Sequence, residues 1–335
     1  MNKDLQAKIK HHHVWDYYIR RWSDNARDVW HTTKSRKISY DSAKGLARED
    51  NFYQILPLSQ SHIDYIKSMS LMSPKGLHDL HMSFLGDILK LQYADNLYSH
   101  SGTKNEEIEQ HIYVMKCNVL ENIHTTIESQ ARNVLDELAM RNLSILSSRE
   151  NMMVFYNYLG HQISRTKTFK DNLFSNREYV ESNDAANIME ECWWFLSYMF
   201  GMNIGCSIFL SRNNDSHCLL INDTDMPFIT SDQPIINAYQ FPSEDIKPPE
   251  DNECDFYYPI SPTIAYMVSG SNRFSNGTVQ VTLDFVEEMN VKIAKRANVH
   301  LFGNTRESLK PFVKYIANHK EKCELFYNKK LQASD

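Results

Sequence analysis

The 335-residue chain predicts an α+β fold that is mainly helical, with long central helices packed on a sheet built from N- and C-terminal strands. Three observations carry that expectation. Apolar residues recur at three- and four-residue steps along the middle of the chain, the period of a helix with one buried face. Short apolar runs separated by turn residues lie only towards the two ends. Glycine and proline number 10 each, too few for a succession of tight hairpins. Residues 1–335 read as a single domain, with an N-terminal motif and strands over 10–56, a helical region over 59–203, and strands and helices over 206–320.

Each element has a local reason. Arg27–Thr33 and Arg36–Tyr40 read as strands joined by a basic turn, and Asn51–Leu56 as a third. Ser59 is placed to cap a helix Ser61–Met72, and Pro74 suits the first turn of a helix Lys75–Tyr98. Ile108, Ile112, Met115, Val119, Ile123, Ile127, Val134 and Leu138 mark a long amphipathic helix from Asn105 to Asn142. Helices are also expected over Arg149–Leu173 and, capped by Asp184, over Asp184–Met202. Cys192–Ser211 has no charged residue and is long enough to cross a bilayer. Gly201, Asn203 and Gly205 interrupt it, which predicts a buried helix ending near Gly201 and then a strand Cys206–Leu210. Cys218–Ile221, Phe228–Ile229, Phe256–Ile260, Thr263–Val268 and Val279–Phe285 read as strands, and Ser243–Glu253 as an exposed acidic loop. Glu287–Asn298 and Arg306–Asn318 close the chain as helices. The N-terminal strands, the Thr230–Pro234 turn and the Pro259–Val268 strand are expected to share one sheet.

Composition narrows the function. A net charge of −6 argues against wholesale coating of nucleic acid. Residues 1–48, however, hold eleven Lys and Arg against five Asp, a local +6 compatible with an anion site. The six cysteines are scattered with no Cys-x-x-Cys pair, which predicts reduced thiols and no zinc ribbon. With no apolar run in the first 25 residues, the expectation is a cytoplasmic protein with no membrane attachment. His78 and His81 lack a carboxylate-rich partner motif, so no metal site is expected. Glycine-rich phosphate loops and a Gly-x-Ser-x-Gly elbow are missing from the sequence, and it assigns no cofactor.

The residues that could carry chemistry fall into a few short segments. His12 titrates near neutrality and can serve as acid or base. Arg20, Arg21 and Arg165 can each fork a phosphate. Gln162 shares a helix face with Arg165. Asp232 stands before Pro234 at a strand end and is the second catalytic candidate. Thr230, Ser231 and Asn290 complete the binding set, while His11 and His13 are expected at the surface. A structural alternative stays open for several of these. Thr-Ser-Asp-x-Pro is what a tight turn or cap requires, and Arg165 could form an ion pair that pins its helix to the sheet.

In chain order, five groups form a recurring series: His12, Tyr18, Ile19 and Arg20; Gln162, Arg165 and Thr166; Ile229 to Asp232 with Pro234 and Ile235; Pro259 to Pro262; and Asn290. The series resembles the motifs of a bacterial family named domain of unknown function 4238, over about residues 10–315. Trp15 stands where that family has proline. The resemblance implies a relationship and an association with bacterial defence or toxin loci, without a reaction. The resulting expectation is an intracellular bacterial effector, a nuclease or other enzyme, of hydrolase type first, acting on a phosphate-containing substrate in phage defence. Its partners would be RNA, DNA or a nucleotide, or else a phage protein or a second defence protein. The alternative is a non-catalytic ligand sensor or protein-interaction module. His12, Arg20, Gln162, Arg165 and Asp232 are expected around a common polar cavity with an excess of positive charge.

Overall fold

The computed structural model describes residues 6–102, 104–175, 183–239 and 250–316. Most of the expected Ser243–Glu253 loop, the end of the expected Arg306–Asn318 helix, His319 and Cys323 lie outside them. The architecture is α+β and mainly helical.

A short strand β1 (Lys10–His12) leads into a single-turn helix α1 (Asp16–Ile19) and a hairpin of β2 (Asp28–Thr32) and β3 (Ile38–Ser42). β4 (Arg48–Asp50) then pairs antiparallel with β1, placing His12 opposite Arg48. The expected strand Asn51–Leu56 is absent because its amides are engaged elsewhere. Tyr53 N donates to His11 Nδ1 at 2.8 Å, and Ile55 N to the Lys116 carbonyl at 3.0 Å.

The helical region follows as α2 (Gln60–Leu71), α3 (Lys75–His100), α4 (Glu106–Ala139), α5 (Arg149–Ser164), α6 (Lys167–Ser175), α7 (Asn183–Glu191) and α8 (Trp193–Ser211). Ser59 caps α2, its hydroxyl accepting His62 N while His62 Nδ1 accepts Ser59 N. Asn105 caps α4. The expected helix Arg149–Leu173 breaks at Arg165 and Thr166, and Asp184–Met202 breaks at Cys192.

α8 runs unbroken through Gly201, Asn203 and Gly205, so the expected helix end and the strand Cys206–Leu210 are corrected. The glycines serve a close helix crossing. A Cβ on Gly160 of α5 would lie 2.2 Å from the Gly201 carbonyl oxygen and 2.4 Å from Gly205 N. A Cβ on Gly205 would lie 2.6 Å from the Tyr156 carbonyl oxygen. By length and composition α8 could cross a membrane; in this fold Trp193–Ser197, Met199, Gly201, Gly205 and Ile208 are buried.

The C-terminal part supplies β5 (Ser216–Ile221), β6 (Thr230–Ser231), β7 (Ile236–Asn237), β8 (Asp255–Ser261), β9 (Ile264–Ser269), β10 (Gly277–Gln280), α9 (Leu283–Arg296), β11 (Leu301–Gly303) and α10 (Arg306–Leu309). Val279–Phe285 is only half strand, because Thr282 caps α9. Besides the β1–β4 pair, the described strands form two sheets rather than the single one expected. One has the order β3-β2-β11-β6 and joins the N- and C-terminal strands; the other, β10-β5-β9-β8-β7, holds the Pro259–Val268 segment. The chain leaves the first sheet after Ser231, where Pro234 lacks an amide proton for the ladder, and enters the second at β7.

Side chains alternate across the second sheet. Leu219, Ile221, Tyr258, Ile260, Ile264, Tyr266 and Val268 pack in one core with Phe155, Tyr156 and Leu159 of α5 and Ala131 and Val134 of α4. Cys218, Leu220, Tyr257, Ala265 and Met267 pack in another with Val286, Met289 and Ile293 of α9. A sheet covered on both faces explains why its strands read as continuous apolar runs.

Candidate functional site

A cavity of about 190 Å³ lies where the N-terminal motif meets α4 and the end of α5. His12, Trp15 and Asp16 line it from the stretch running from the end of β1 to the start of α1, and Arg165 from the C-cap of α5. α4 contributes Glu121, His124, Thr125 and Glu128. Their spacing of i, i+3, i+4 and i+7 puts all four on one helix face.

Arg165 is 2% exposed. Its Nη2 donates to Glu128 Oε1 at 2.5 Å and to Gln162 Oε1 at 2.7 Å, and its Nε has no partner. Gln162 in turn donates from Nε2 to the His13 carbonyl at 3.0 Å. Asp16 pairs with Arg20 at 2.5 Å, and His12 Nε2 lies 3.2 Å from the Lys44 carbonyl. His124, also 2% exposed, has neither ring nitrogen bonded to protein. Its ring packs on Tyr53 and His161, with centroids 4.7 and 5.6 Å away.

Burial sets the proton affinities. It pushes the Glu121 carboxyl up to about 7, opposed by Arg165 and reinforced by Glu128. Glu128 is also raised by burial, against the pull of Arg165. His12 is lowered by burial, opposed by the Lys44 carbonyl and Asp16, with Arg165 and Arg48 adding to the shift. Burial holds His124 well below the usual histidine range, and Arg165, His161 and His11 add to it. At neutral pH the cavity therefore offers two neutral imidazoles and a carboxyl poised near half-protonation.

The cavity gathers only part of the expected set. His12 and Arg165 line it; Gln162 supports Arg165, and Arg20 supports Asp16. Arg21 is spent on Asp136 at 2.5 Å. The expected positive excess is replaced by three carboxylates against one guanidinium. Asp232, Thr230, Ser231 and Asn290 are not among the lining residues and form a joint between the sheets. The Asp232 carboxylate accepts the amides of Asn298, Val299 and His300 at 2.8, 2.7 and 2.9 Å. The Tyr18 hydroxyl lies 2.6 Å from Thr230 Oγ1 and donates to the Pro259 carbonyl at 2.7 Å, linking one sheet to the other. Ser231 Oγ donates to the Gln233 carbonyl at 2.9 Å. Asn290 accepts Ile229 N at 3.0 Å and donates to the Pro227 carbonyl at 2.9 Å.

His11 and His13 are buried, contrary to expectation. His11 lies between the Cys117 carbonyl and Tyr53 N, at 3.0 and 2.8 Å; burial pushes His13 down to about 3. The residues that sequence reasoning missed are Trp15, Asp16, Glu121, His124, Thr125 and Glu128. The polar stripe on α4 was the available signal.

Among the described residues no group of three or more His, Cys, Asp or Glu is arranged to hold a metal ion. The cavity is smaller than the roughly 300–1,000 Å³ of usual ligand pockets, so it suits one small polar group or part of a larger molecule. A model of the DUF4238 family, described as a protein of unknown function, matches residues 10–307. No curated protein and no solved structure matches the chain.

Proposed function

The chain belongs to the DUF4238 family, and we propose that it is a hydrolase in which Glu121 and His12 act as proton donor and acceptor on a phosphate-containing substrate. The observation that carries this reading is the near-neutral Glu121 carboxyl facing the same cavity as a neutral His12. Groups whose proton affinities sit near the working pH transfer protons most effectively. His12 would take the proton of the attacking hydroxyl or water, and Glu121 would give its proton to the leaving oxygen. Charge does not forbid a phosphate. Asp16 and Glu128 are neutralised by Arg20 and Arg165, Glu121 is largely uncharged below pH 7, and Lys44 and Arg48 stand beside His12 in the chain fold. The same proposal makes RNA, DNA or a nucleotide the substrate, and places the protein in the bacterial cytoplasm as an effector against phage.

The test is turnover of RNA, single-stranded DNA and a chromogenic phosphodiester by the full chain. His12 must be neutral and Glu121 protonated, so kcat/KM should peak between the depressed His12 pKa and about 7. Glu121→Gln should lower kcat about 100-fold or more, the contribution of a lost acid–base group, and erase the alkaline limb. Turnover that survives in both Glu121→Gln and His12→Ala would refute the assignment. A second reading, a non-catalytic ligand sensor, is favoured by the unsatisfied His124 ring. Ligand binding with no turnover in the unmodified chain would select it.

A further inference from the structure

His124 has no part in proton transfer as described, yet it is the polar side chain of the cavity with the least protein bonding. Its ring is buried on the cavity wall with both nitrogens unpartnered. A buried imidazole without partners is a standing loss; both nitrogens are closed off from solvent, so a ligand recovers that loss by drawing the ring toward the cavity it lines. Burial and three cationic or imidazole neighbours keep the ring neutral, so it presents one N–H donor and one acceptor nitrogen. A phosphate supplies acceptors only. Seated here it would find Arg165 Nη2 already committed to Glu128 and Gln162. The group that fits is uncharged, planar or nearly so, and carries donors and acceptors side by side. The donors would meet the carboxylates of Glu128 or Asp16. Trp15, half-buried on the same cavity, supplies an aromatic wall. Unpaired nucleobases are held in this way, by stacking on an aromatic ring and hydrogen bonds to the base edge.

We propose that the cavity is a nucleobase pocket, with His124 and Glu128 reading the base edge, Trp15 stacking on its face, and the attached phosphate left outside beside His12, Lys44 and Arg48. This deepens the hydrolase reading by naming the part of the substrate that fixes its orientation. The chemistry is shared by a free nucleotide and by an unpaired nucleotide within a strand.

Calorimetric titration of the full chain at pH 7 tests it, using the four ribonucleoside 5′-monophosphates, ribose 5-phosphate, and a single-stranded oligonucleotide of the preferred base. At least one monophosphate should bind about tenfold or more tightly than ribose 5-phosphate, the scale of one or two recovered hydrogen bonds. His124→Phe should remove that advantage and leave ribose 5-phosphate affinity unchanged. Trp15→Leu, at a half-buried position, is a second probe of the same loss and does not depend on how the core accepts phenylalanine. Tighter binding of the oligonucleotide would identify a strand as the source, and equal binding a free nucleotide; either supports the pocket. Ribose 5-phosphate binding as tightly as every nucleotide, no nucleotide binding, or full base preference in both variants would overturn it. Base-dependent binding without hydrolysis would sink only the catalytic reading. Hydrolysis without base preference would sink only the pocket.

Discussion

The cavity around His12 and the joint around Asp232 look alike in the sequence and differ in the fold. Both are built from short polar motifs, both bury charge, and both draw on distant parts of the chain. At the joint, Tyr18, Thr230, Ser231, Asp232 and Asn290 all have hydrogen-bond partners in the protein. At the cavity, both nitrogens of His124 and Nε of Arg165 have none. Buried polar groups in folded proteins are nearly always satisfied. The joint obeys that rule and needs no further explanation. The cavity departs from it, as do other buried atoms such as His81 Nε2 and Tyr257 Oη; at the cavity the unpartnered groups belong to residues lining a space that a ligand can enter.

The largest expected effect breaks the cavity as a structure. Arg165→Ala would strand Glu128 and Gln162 in the interior, and removing one partner of a buried pair costs about 3–5 kcal/mol. Urea unfolding should show that loss. A change under about 1 kcal/mol, within the range of exposed ion pairs, would mean the pair is solvated and the cavity open. At the joint, Asp232→Ala would leave three amides without an acceptor, a loss of roughly 3 kcal/mol at the scale of charge-assisted bonds. Any loss of activity in that variant should track its unfolding. Undiminished stability with abolished activity would move Asp232 back among the catalytic candidates.

Glu121 gives a smaller, pH-dependent effect. Its carboxyl rises to about 7 in the fold from an unfolded value of about 4.3. Between those values the folded protein holds more protons than the unfolded chain, so this group weakens the fold progressively as pH rises, and the full deficit persists above 7. Replacement by glutamine removes the deficit. Glu121→Gln should therefore exceed the parent protein in unfolding free energy by about 1 kcal/mol at pH 8, allowing for solvent screening, and match it near pH 4. Equal stability at both pH values would show a carboxyl of ordinary acidity.

The architecture was legible where one chain segment decides its own structure. Ile108 to Leu138 set α4 by periodicity alone, and Ser59 announced the start of α2. The α8 segment was misread because Gly201 and Gly205 look like breaks until Gly160 on another helix is known to pack against them. The sheet count was misread because a two-residue strand, β6, carries no pattern of its own. Within the site, His12 and Arg165 stood out by residue type. Glu121, His124 and Glu128 did not, since charged and polar residues on a long helix ordinarily face water. What marked them was their shared face, at i, i+3 and i+7, and only the N-terminal segment lying across that face gives the pattern meaning.

Hydrogen-bond satisfaction separates the two regions, and two histidines on opposite sides of that line test it most directly. His11 and His124 are both buried; the first is bonded at both nitrogens and the second at neither. The same replacement, histidine to phenylalanine, should act in opposite directions. His11→Phe leaves Tyr53 N without its acceptor and should lower the unfolding free energy by about 1–3 kcal/mol. His124→Phe removes two unpaired polar atoms beside a cavity with room for the larger ring, and should raise it by about 1 kcal/mol. Chemical unfolding of both variants beside the parent protein reads the difference without any knowledge of the substrate. Losses of similar size in the two variants would show that His124 is satisfied in solution and would remove the basis for the base pocket.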